Sequence, residues 1–300
     1  MEPWILIAVA AAAFQTLRFM MQKSLSMGPV SAGGATLARF FYGAPFACAL
    51  AAGYLAWRGV AWPELSAVFW AYAMVGGLAQ ILATLFVVLI FAERNFAVGI
   101  TFKKTEVIQT AIIGFVVLGD RVSLFGFLAI LIGLLGVLVL SDPPQSDMRG
   151  WRRFANRAAG LGLASGAFFA VSAVGYRGAT LEVAGGDAFM RAAVTLAVVT
   201  VAQSLAMMAW LALREPGEVA RVWAARKTAI WIGVTSMAGS ISWFTAFAMQ
   251  NAAYVFAVGQ VEVIFSLFAS VLFFKERIAG REMVGITLLT ASIVVLVALG

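Results

Sequence analysis

The chain has 300 residues, of which 63% are hydrophobic and only 12% are charged, and its mean hydropathy is +0.96. This composition excludes an ordinary soluble globular protein, which is about half apolar and a quarter charged, and it predicts an integral membrane protein. The net charge of +7 is spread over loops and forms no dense basic block, so we expect no nucleic-acid partner.

The N-terminal run "MEPWILIAVAAAAFQ" is apolar, and it carries Glu2 but no Lys or Arg before its hydrophobic part. It is therefore predicted to be the first membrane span and not a cleaved signal peptide. The chain has one cysteine, Cys48, and no histidine. We accordingly expect no internal disulfide, no metal site and no cofactor.

Ten segments have the length and apolarity of membrane helices, and they predict an all-α integral membrane fold. Gly28-Pro29, Pro63 and Asp120-Arg121 predict turns between neighbouring spans. The predicted spans are 4–24, 31–57, 65–91, 95–118, 122–140, 158–180, 186–212, 228–250, 252–274 and 280–299.

The two halves of the chain are similar to each other. A shift of 156 residues places 91–140 on 247–296 without a gap. Matches at this shift and at nearby ones pair Asn95 with Asn251, Glu106 with Glu262, Asp120-Arg121 with Glu276-Arg277, Arg39 with Arg191, and the small pair Ala8/Ala12 with Gly162/Gly166. Small residues at that spacing let helices approach closely. We predict one five-helix repeat at 1–145, a polar linker at 146–157 and a second repeat at 158–300. Because five is odd, the second repeat is inverted in the membrane.

This layout resembles the EamA-type members of the drug/metabolite transporter superfamily. The resemblance rests on the five-plus-five pattern, the short turns "GDR" (119–121) and "KER" (275–277), and the run "GFLAILIGLLGVLVL" (126–140). It implies a carrier of small metabolites, often amino acids or related compounds moved outward. It also implies that the fifth and tenth spans form a scaffold, while the first, third, fourth, sixth, eighth and ninth line the cavity. The charges in "KKTE" depart from the usual fourth span.

Charged residues occur well inside the predicted spans. They are Arg18, Arg39, Lys103, Lys104, Glu106, Arg191 and Glu262. A charge at a helix centre costs about 2.5–3.5 kcal/mol on insertion scales, so these residues should have partners inside the protein. Lys103 and Glu106 are three residues apart, share a helix face with Gln109, and are predicted to pair. Lys104 lies on another side of the helix and is left without a predicted partner, because Glu106 is paired with Lys103.

We predict a substrate site that includes the intramembrane charges of both repeats. Arg18 shares a face with Gln15 and Gln22, and its planar fork suits a carboxylate, for which Lys104 is the second candidate ligand. An alternative is that Arg18 pairs with Glu106 or Glu262 and that Lys104 reaches the interface. The candidate substrate-binding residues are Arg18, Gln15, Lys103, Lys104, Glu106, Gln109, Trp243, Gln260 and Glu262.

Other charges are assigned to proton coupling or to structure. A desolvated carboxyl can exchange protons near neutral pH, so Glu262 and Glu106 are the coupling candidates. Glu262 is preferred because its own helix carries no lysine nearby. The predicted structural charges are Arg39, Arg191, Asp120, Arg121, Glu276 and Arg277, with Asp120/Arg121 and Glu276/Arg277 expected to pair at helix ends.

Together these features predict a secondary active transporter that exports or exchanges a small polar metabolite, amino-acid-like or carboxylate-bearing. A zwitterionic substrate fits the charges better than a lipophilic cation does. The alternatives are a drug or cationic-compound exporter of the same fold and a membrane-embedded lipid-modifying enzyme, which the absence of histidine and metal spacing disfavours. The expected partners are a small-molecule substrate and the lipid bilayer, in a multi-pass protein of the inner (plasma) membrane that is a monomer or homodimer.

The distribution of loop Lys and Arg predicts the orientation. The 141–157 segment and the loops on its side carry most of these residues, so this side is expected to be cytoplasmic and both termini to lie opposite. A Ser146→Cys variant with Cys48 replaced by serine should therefore resist an impermeant thiol reagent applied to intact cells. Labelling from outside would contradict this orientation.

Overall fold

The computed structural model describes residues 2–93, 96–141, 156–265 and 280–299, and within these ranges the chain forms helices and no strand. The helices are α1 (Pro3–Ser26), α2 (Ala32–Phe41), α3 (Ala44–Arg58), α4 (Ala67–Phe91), α5 (Phe96–Lys103), α6 (Glu106–Leu118), α7 (Leu124–Ser141), α8 (Arg157–Glu182), α9 (Ala188–Arg214), α10 (Glu218–Ala224), α11 (Arg226–Met249), α12 (Ala252–Gly259) and α13 (Gly280–Leu299). The predicted pair Glu276/Arg277 and all but two residues of the 146–157 linker lie outside the described residues.

Length and apolarity identify the membrane-crossing helices. In the described ranges, six stretches meet both conditions, namely Pro3–Ser26, Ala32–Arg58, Ala67–Phe91, Arg157–Glu182, Ala188–Arg214 and Arg226–Met249. The chain is therefore a multi-pass membrane protein. Shorter apolar helices occupy Leu124–Leu140, Ala252–Phe265 and Met283–Ala298. The count of ten spans stays a prediction.

Several predicted helix bounds are corrected. The segment 31–57 is not one continuous helix but α2 and α3, which meet at Tyr42 and Gly43. Pro45 lies in the first turn of α3, where the missing N–H of proline costs nothing. The short helix α10 lies between the predicted spans 186–212 and 228–250. Its Glu218 is fully buried and accepts a hydrogen bond from the backbone N–H of Ser31, just before α2.

Helices of the first half pack mainly on helices of the second half. The helix α4 lies along α8, and α1 lies along α11. Likewise α5 and α6 contact α8, while α12 contacts α1. The helix α7 packs on α13, and α2 and α3 pack on α9. When the first half is aligned on the second with the 156-residue shift, each of these helix contacts corresponds to another of them or to itself. The contact of α4 with α8, for example, corresponds to that of α11 with α1, and the contact of α7 with α13 corresponds to itself.

Glycines of α8 allow this packing to be close. A Cβ atom added to Gly162 would lie 2.0 Å from the carbonyl oxygen of Gly99, and one added to Gly166 would lie 2.9 Å from the carbonyl oxygen of Lys103. Both clashes are with the backbone of the α5 region, which cannot move away as a flexible side chain would. The close approach predicted from the Gly162/Gly166 spacing is confirmed.

We expect Gly162→Ala to destabilise the protein by about 1–3 kcal/mol or more, because the new methyl group overpacks a backbone contact. Gly160→Ala is the matched control, since it lies on the same helix and its Cβ would meet nothing within 4 Å. Thermal unfolding in detergent should show a lowered midpoint for the first variant and an unchanged or raised one for the second. Equal midpoints would refute the close contact.

Candidate functional site

Two of the predicted spans are interrupted at corresponding positions. The helix α5 ends at Lys103 and α6 begins at Glu106, with Lys104 and Thr105 in a tight turn between them. The N–H of Thr105 donates to the carbonyl of Phe102, three residues back, at 3.2 Å, so the chain is wound more tightly than an α-helix here. In the second half α12 ends at Gly259, Gln260 forms the turn, and the helix resumes at 261.

The predicted spans 95–118 and 252–274 are therefore wrong in being continuous. Positions 104 and 260 correspond under the 156-residue shift, so each half is broken at the same place. Irregular backbone at membrane depth is tolerated where it is enclosed in protein or lines a cavity, and interrupted helices frequently carry transport sites.

Four charged side chains meet at these two breaks, and we call Lys103, Lys104, Glu106 and Glu262 the charge cluster. Lys103 Nζ lies 2.9 Å from Glu106 Oε1 and 3.9 Å from Glu262 Oε1, and Lys104 Nζ contacts Glu262 Oε1. The exposed fraction of these side chains is between 2% and 10%. Two positive and two negative charges thus compensate one another away from solvent.

The cluster confirms one predicted pair and corrects another prediction. The Lys103–Glu106 pair, predicted from their spacing, is present. The expectation that Lys104 is left over is wrong, because its partner Glu262 comes from the other half of the chain. The two helix breaks bring these residues together, and neither break was predicted.

Gln15 and Trp243 complete the surroundings of Glu262. Gln15 Nε2 donates to Glu262 Oε2 at 2.7 Å, and Gln15 Oε1 accepts from the indole N–H of Trp243 at 3.2 Å. The Trp243 ring packs so closely on Gly259 that a Cβ there would lie 2.3 Å from it. Thus α1 and α11 both hold the second break in place.

Arg18 lies on α1, one turn from Gln15, and it has no carboxylate partner among the described residues. Its Nη1 donates to Gln22 Oε1, and its guanidinium lies 4.1 Å above the ring of Phe19. Its Nη2 is buried and has no hydrogen-bond partner. Neither of the predicted alternative pairings of Arg18, with Glu106 or with Glu262, is formed.

Buried polar atoms without partners concentrate around the predicted site. Within the described residues they are Arg18 Nη2, Glu106 Oε2, Gln109 Oε1, Gln260 Oε1 and Arg191 Nε. The first four belong to predicted site residues. An unsatisfied buried polar atom costs about 1–3 kcal/mol, which a bound polar ligand or water would recover. Gln260 also lines a small cavity with Lys104, with room for about one water molecule.

The charged residues predicted to have structural roles do not all have the predicted partners. Asp120 pairs with Arg177 of α8, at 2.6 and 3.1 Å, and not with the neighbouring Arg121, which is exposed. Arg177 also donates to the carbonyls of Phe247 and Gln250, so it connects α8 to the ends of α6 and α11. The predicted Asp120–Arg121 pair is therefore wrong. Arg191 is half-buried, whereas its repeat counterpart Arg39 is fully enclosed.

Sequence reasoning missed the polar residues around Arg39. The guanidinium donates to hydroxyls of Ser236 at 3.0 Å, Thr84 at 2.7 Å and Ser240 at 3.5 Å. A usable signal was present, because Ser236 and Ser240 are four residues apart, as are Gln80 and Thr84. Polar side chains at that spacing form one stripe on an otherwise apolar helix.

Comparison with known protein families identifies a family for the second half of the chain. Residues 156–298 match the model of the EamA-like transporter family. This half of the chain belongs to the EamA-like transporter family. The family is part of the drug/metabolite transporter superfamily, so the resemblance seen in the sequence is confirmed, and the matched family is one of membrane transporters.

Other comparisons of the EamA-like protein bear on the fold alone. No curated protein matches the chain. One solved structure, described only as the crystal structure of a protein, superposes with a TM-score of 0.69 at 15% sequence identity, over 97% of this chain and 99% of that one. The shared fold thus extends through both halves.

We expect Lys104→Met to destabilise the protein by about 3–5 kcal/mol, because it leaves Glu262 buried with less compensation. The double variant Lys104→Met/Glu262→Gln should recover most of that loss, as measured by unfolding in detergent. Arg58→Met is the control, since the Arg58–Asp187 pair is largely exposed and its loss should cost under about 1 kcal/mol. Additive effects of the two cluster substitutions would contradict a direct pair.

Proposed function

We propose that this EamA-like protein is a secondary active transporter that exports or exchanges a small carboxylate-bearing metabolite by alternating access. The observation that carries the proposal is the charge cluster. It is buried, it lies at two interrupted helices, and both halves of the chain contribute to it. Burying four charges at such breaks is energetically costly, which favours a functional role for them over a purely structural one.

The moving parts of the proposed transporter are two inverted repeats with ten membrane spans in all. The 156-residue sequence correspondence, the paired helix contacts between the halves and the matching breaks at 104 and 260 support this arrangement. Rocking of one repeat against the other would open the region of the breaks to each side in turn. The Lys104–Glu262 contact crosses between the halves, so it would change in that motion.

Arg18 is the proposed ligand for the substrate carboxylate. Its buried Nη2 lacks a partner, and a carboxylate would satisfy this donor with a charge-assisted hydrogen bond. Lys104 is no longer a candidate for this role because Glu262 compensates it. The two glutamates likewise each have a lysine partner, so neither offers an uncompensated charge to a substrate ammonium group.

Glu106 is the proposed proton carrier. Glu262 was preferred because its own helix has no lysine, but Lys104 supplies one, and both Glu262 oxygens accept hydrogen bonds from Lys104 or Gln15. Glu106 accepts from Lys103 on Oε1 only, and its Oε2 is buried without a partner. Of the two carboxylates, the charge of Glu106 is therefore the less well compensated.

The proposal is tested by counterflow in proteoliposomes preloaded with candidate organic acids and amino acids. Saturable exchange of a carboxylate-bearing compound is expected, and Glu106→Gln should abolish its stimulation by an imposed pH gradient while sparing exchange. Glu262→Gln is the matched variant at the corresponding position and should retain a response to the gradient.

Two results would count against these assignments. Absence of exchange for every carboxylate tested would remove the proposed function. A full response of Glu106→Gln to the pH gradient would remove only the choice of proton carrier.

A further inference from the structure

An apolar groove lies on the surface of the protein between α2, the end of α9 and α10. Its volume is about 570 Å³, which falls within the range of about 300–1,000 Å³ for ligand pockets. The lining includes Leu37, Phe41, Ala212, Pro216, Val219 and Trp223. Apart from the indole N–H of Trp223, no lining side chain has a polar group. The groove therefore suits a hydrocarbon chain better than a polar metabolite.

The groove lies at a boundary of the membrane region and has fixed walls. The helix α9 is long and apolar enough to cross a membrane, and it ends at Arg214, directly before the part of the lining at 216–223. Trp223 is 57% exposed, as is typical of tryptophans at the level of the lipid headgroups. The hydroxyl of Tyr42 donates to the carbonyl of Val222 at 3.2 Å, so α10 is tied to the end of α2.

The acidic residues beside the groove are directed to the start of α2. Glu218 accepts from the N–H of Ser31, and a Cβ atom added to Gly33 would lie 3.1 Å from Glu215 Oε1. Carboxylates are stabilised at the N-terminal end of a helix, where the backbone N–H groups are positive. The negative charge of this segment is therefore used inside the protein.

The basic residues of the same segment stay at the surface. The stretch 214–227 contains four of them against two acidic residues, and all four are exposed, namely Arg214, Arg221, Arg226 and Lys227. Arg226 Nη1 donates to the carbonyl of the lining residue Trp223 at 3.4 Å, which places this guanidinium at the rim of the groove. Among the described residues, no carboxylate pairs with Arg226 or Lys227. The rim is therefore positively charged, whereas the walls are apolar.

We propose that this groove binds an anionic phospholipid, with an acyl chain between α2 and α10 and the headgroup phosphate at Arg226 and Lys227. An anionic lipid has the chemistry of both parts, since it combines an apolar chain with a negative headgroup. Basic residues directly after a membrane helix attract such lipids, which are concentrated in the cytoplasmic leaflet. The distribution of loop Lys and Arg predicts that this side is cytoplasmic. The site is separate from the charge cluster and does not depend on the proposed transport function.

Native mass spectrometry of the purified full-length protein tests the headgroup. Phosphatidylglycerol is expected to bind about tenfold more tightly than phosphatidylcholine with the same acyl chains. The double variant Arg226→Gln/Lys227→Gln should remove this preference, because it takes two positive charges from the rim. Arg58→Gln/Arg121→Gln is the matched control, since it removes two other exposed arginines, and it should keep the preference. Equal binding of the two lipids by the unmodified protein, or an unchanged preference in the rim variant, would overturn the inference.

A groove-filling variant tests the acyl chain. Ala220→Trp adds a large ring to the exposed lining of the groove and should weaken phosphatidylglycerol binding about tenfold, whereas Ala224→Trp, on the same helix but outside the lining, should not. Unchanged binding in Ala220→Trp would overturn the inference. So would displacement of the lipid by glycerol phosphate at equal concentration, which would show that the headgroup alone is recognised. A dimer that Ala220→Trp dissociates would assign the groove to a second copy of the chain and reject the lipid.

Discussion

Charges inside a bilayer must be compensated by the protein itself, because the hydrocarbon provides no water to solvate them. In this chain the compensation is the contact of Lys104 with Glu262, joined by Lys103 with Glu106. The contact requires both helices to be interrupted at the level where the lysines and glutamates face one another. Close packing of α8 on the first break and of Trp243 on the second then holds the four charges in place.

The charge cluster and the two buried arginines differ in their charge balance. The charge cluster is neutral and is held by contacts between the halves. Arg39 and Arg18 are positive and are held by hydroxyls, an amide and the Phe19 ring. A neutral cluster can change partners during a conformational change without exposing a net charge.

Much of the fold was predictable from the sequence, since apolar runs of about 20 residues and the repeated pattern specify membrane helices. The Lys103–Glu106 pair was predictable because side chains three residues apart lie on one face of a helix, and the tight turn between α5 and α6 still brings them together. The partner of Lys104 was not, because it depends on how two distant segments pack. The breaks at Lys104 and Gln260 were missed for a different reason: neither contains proline, the residue that most clearly indicates a helix interruption in a sequence. Asp120 likewise takes Arg177 from another helix and not its neighbour in sequence.

The division of the charge cluster between the halves has a consequence for biosynthesis. The ribosome delivers Lys103, Lys104 and Glu106 to the membrane before Glu262 has been made. The newly inserted first half therefore carries one lysine without its counter-charge, next to a helix of only eight residues, α5. The four charges of the cluster therefore balance one another only once the second half has packed against the first.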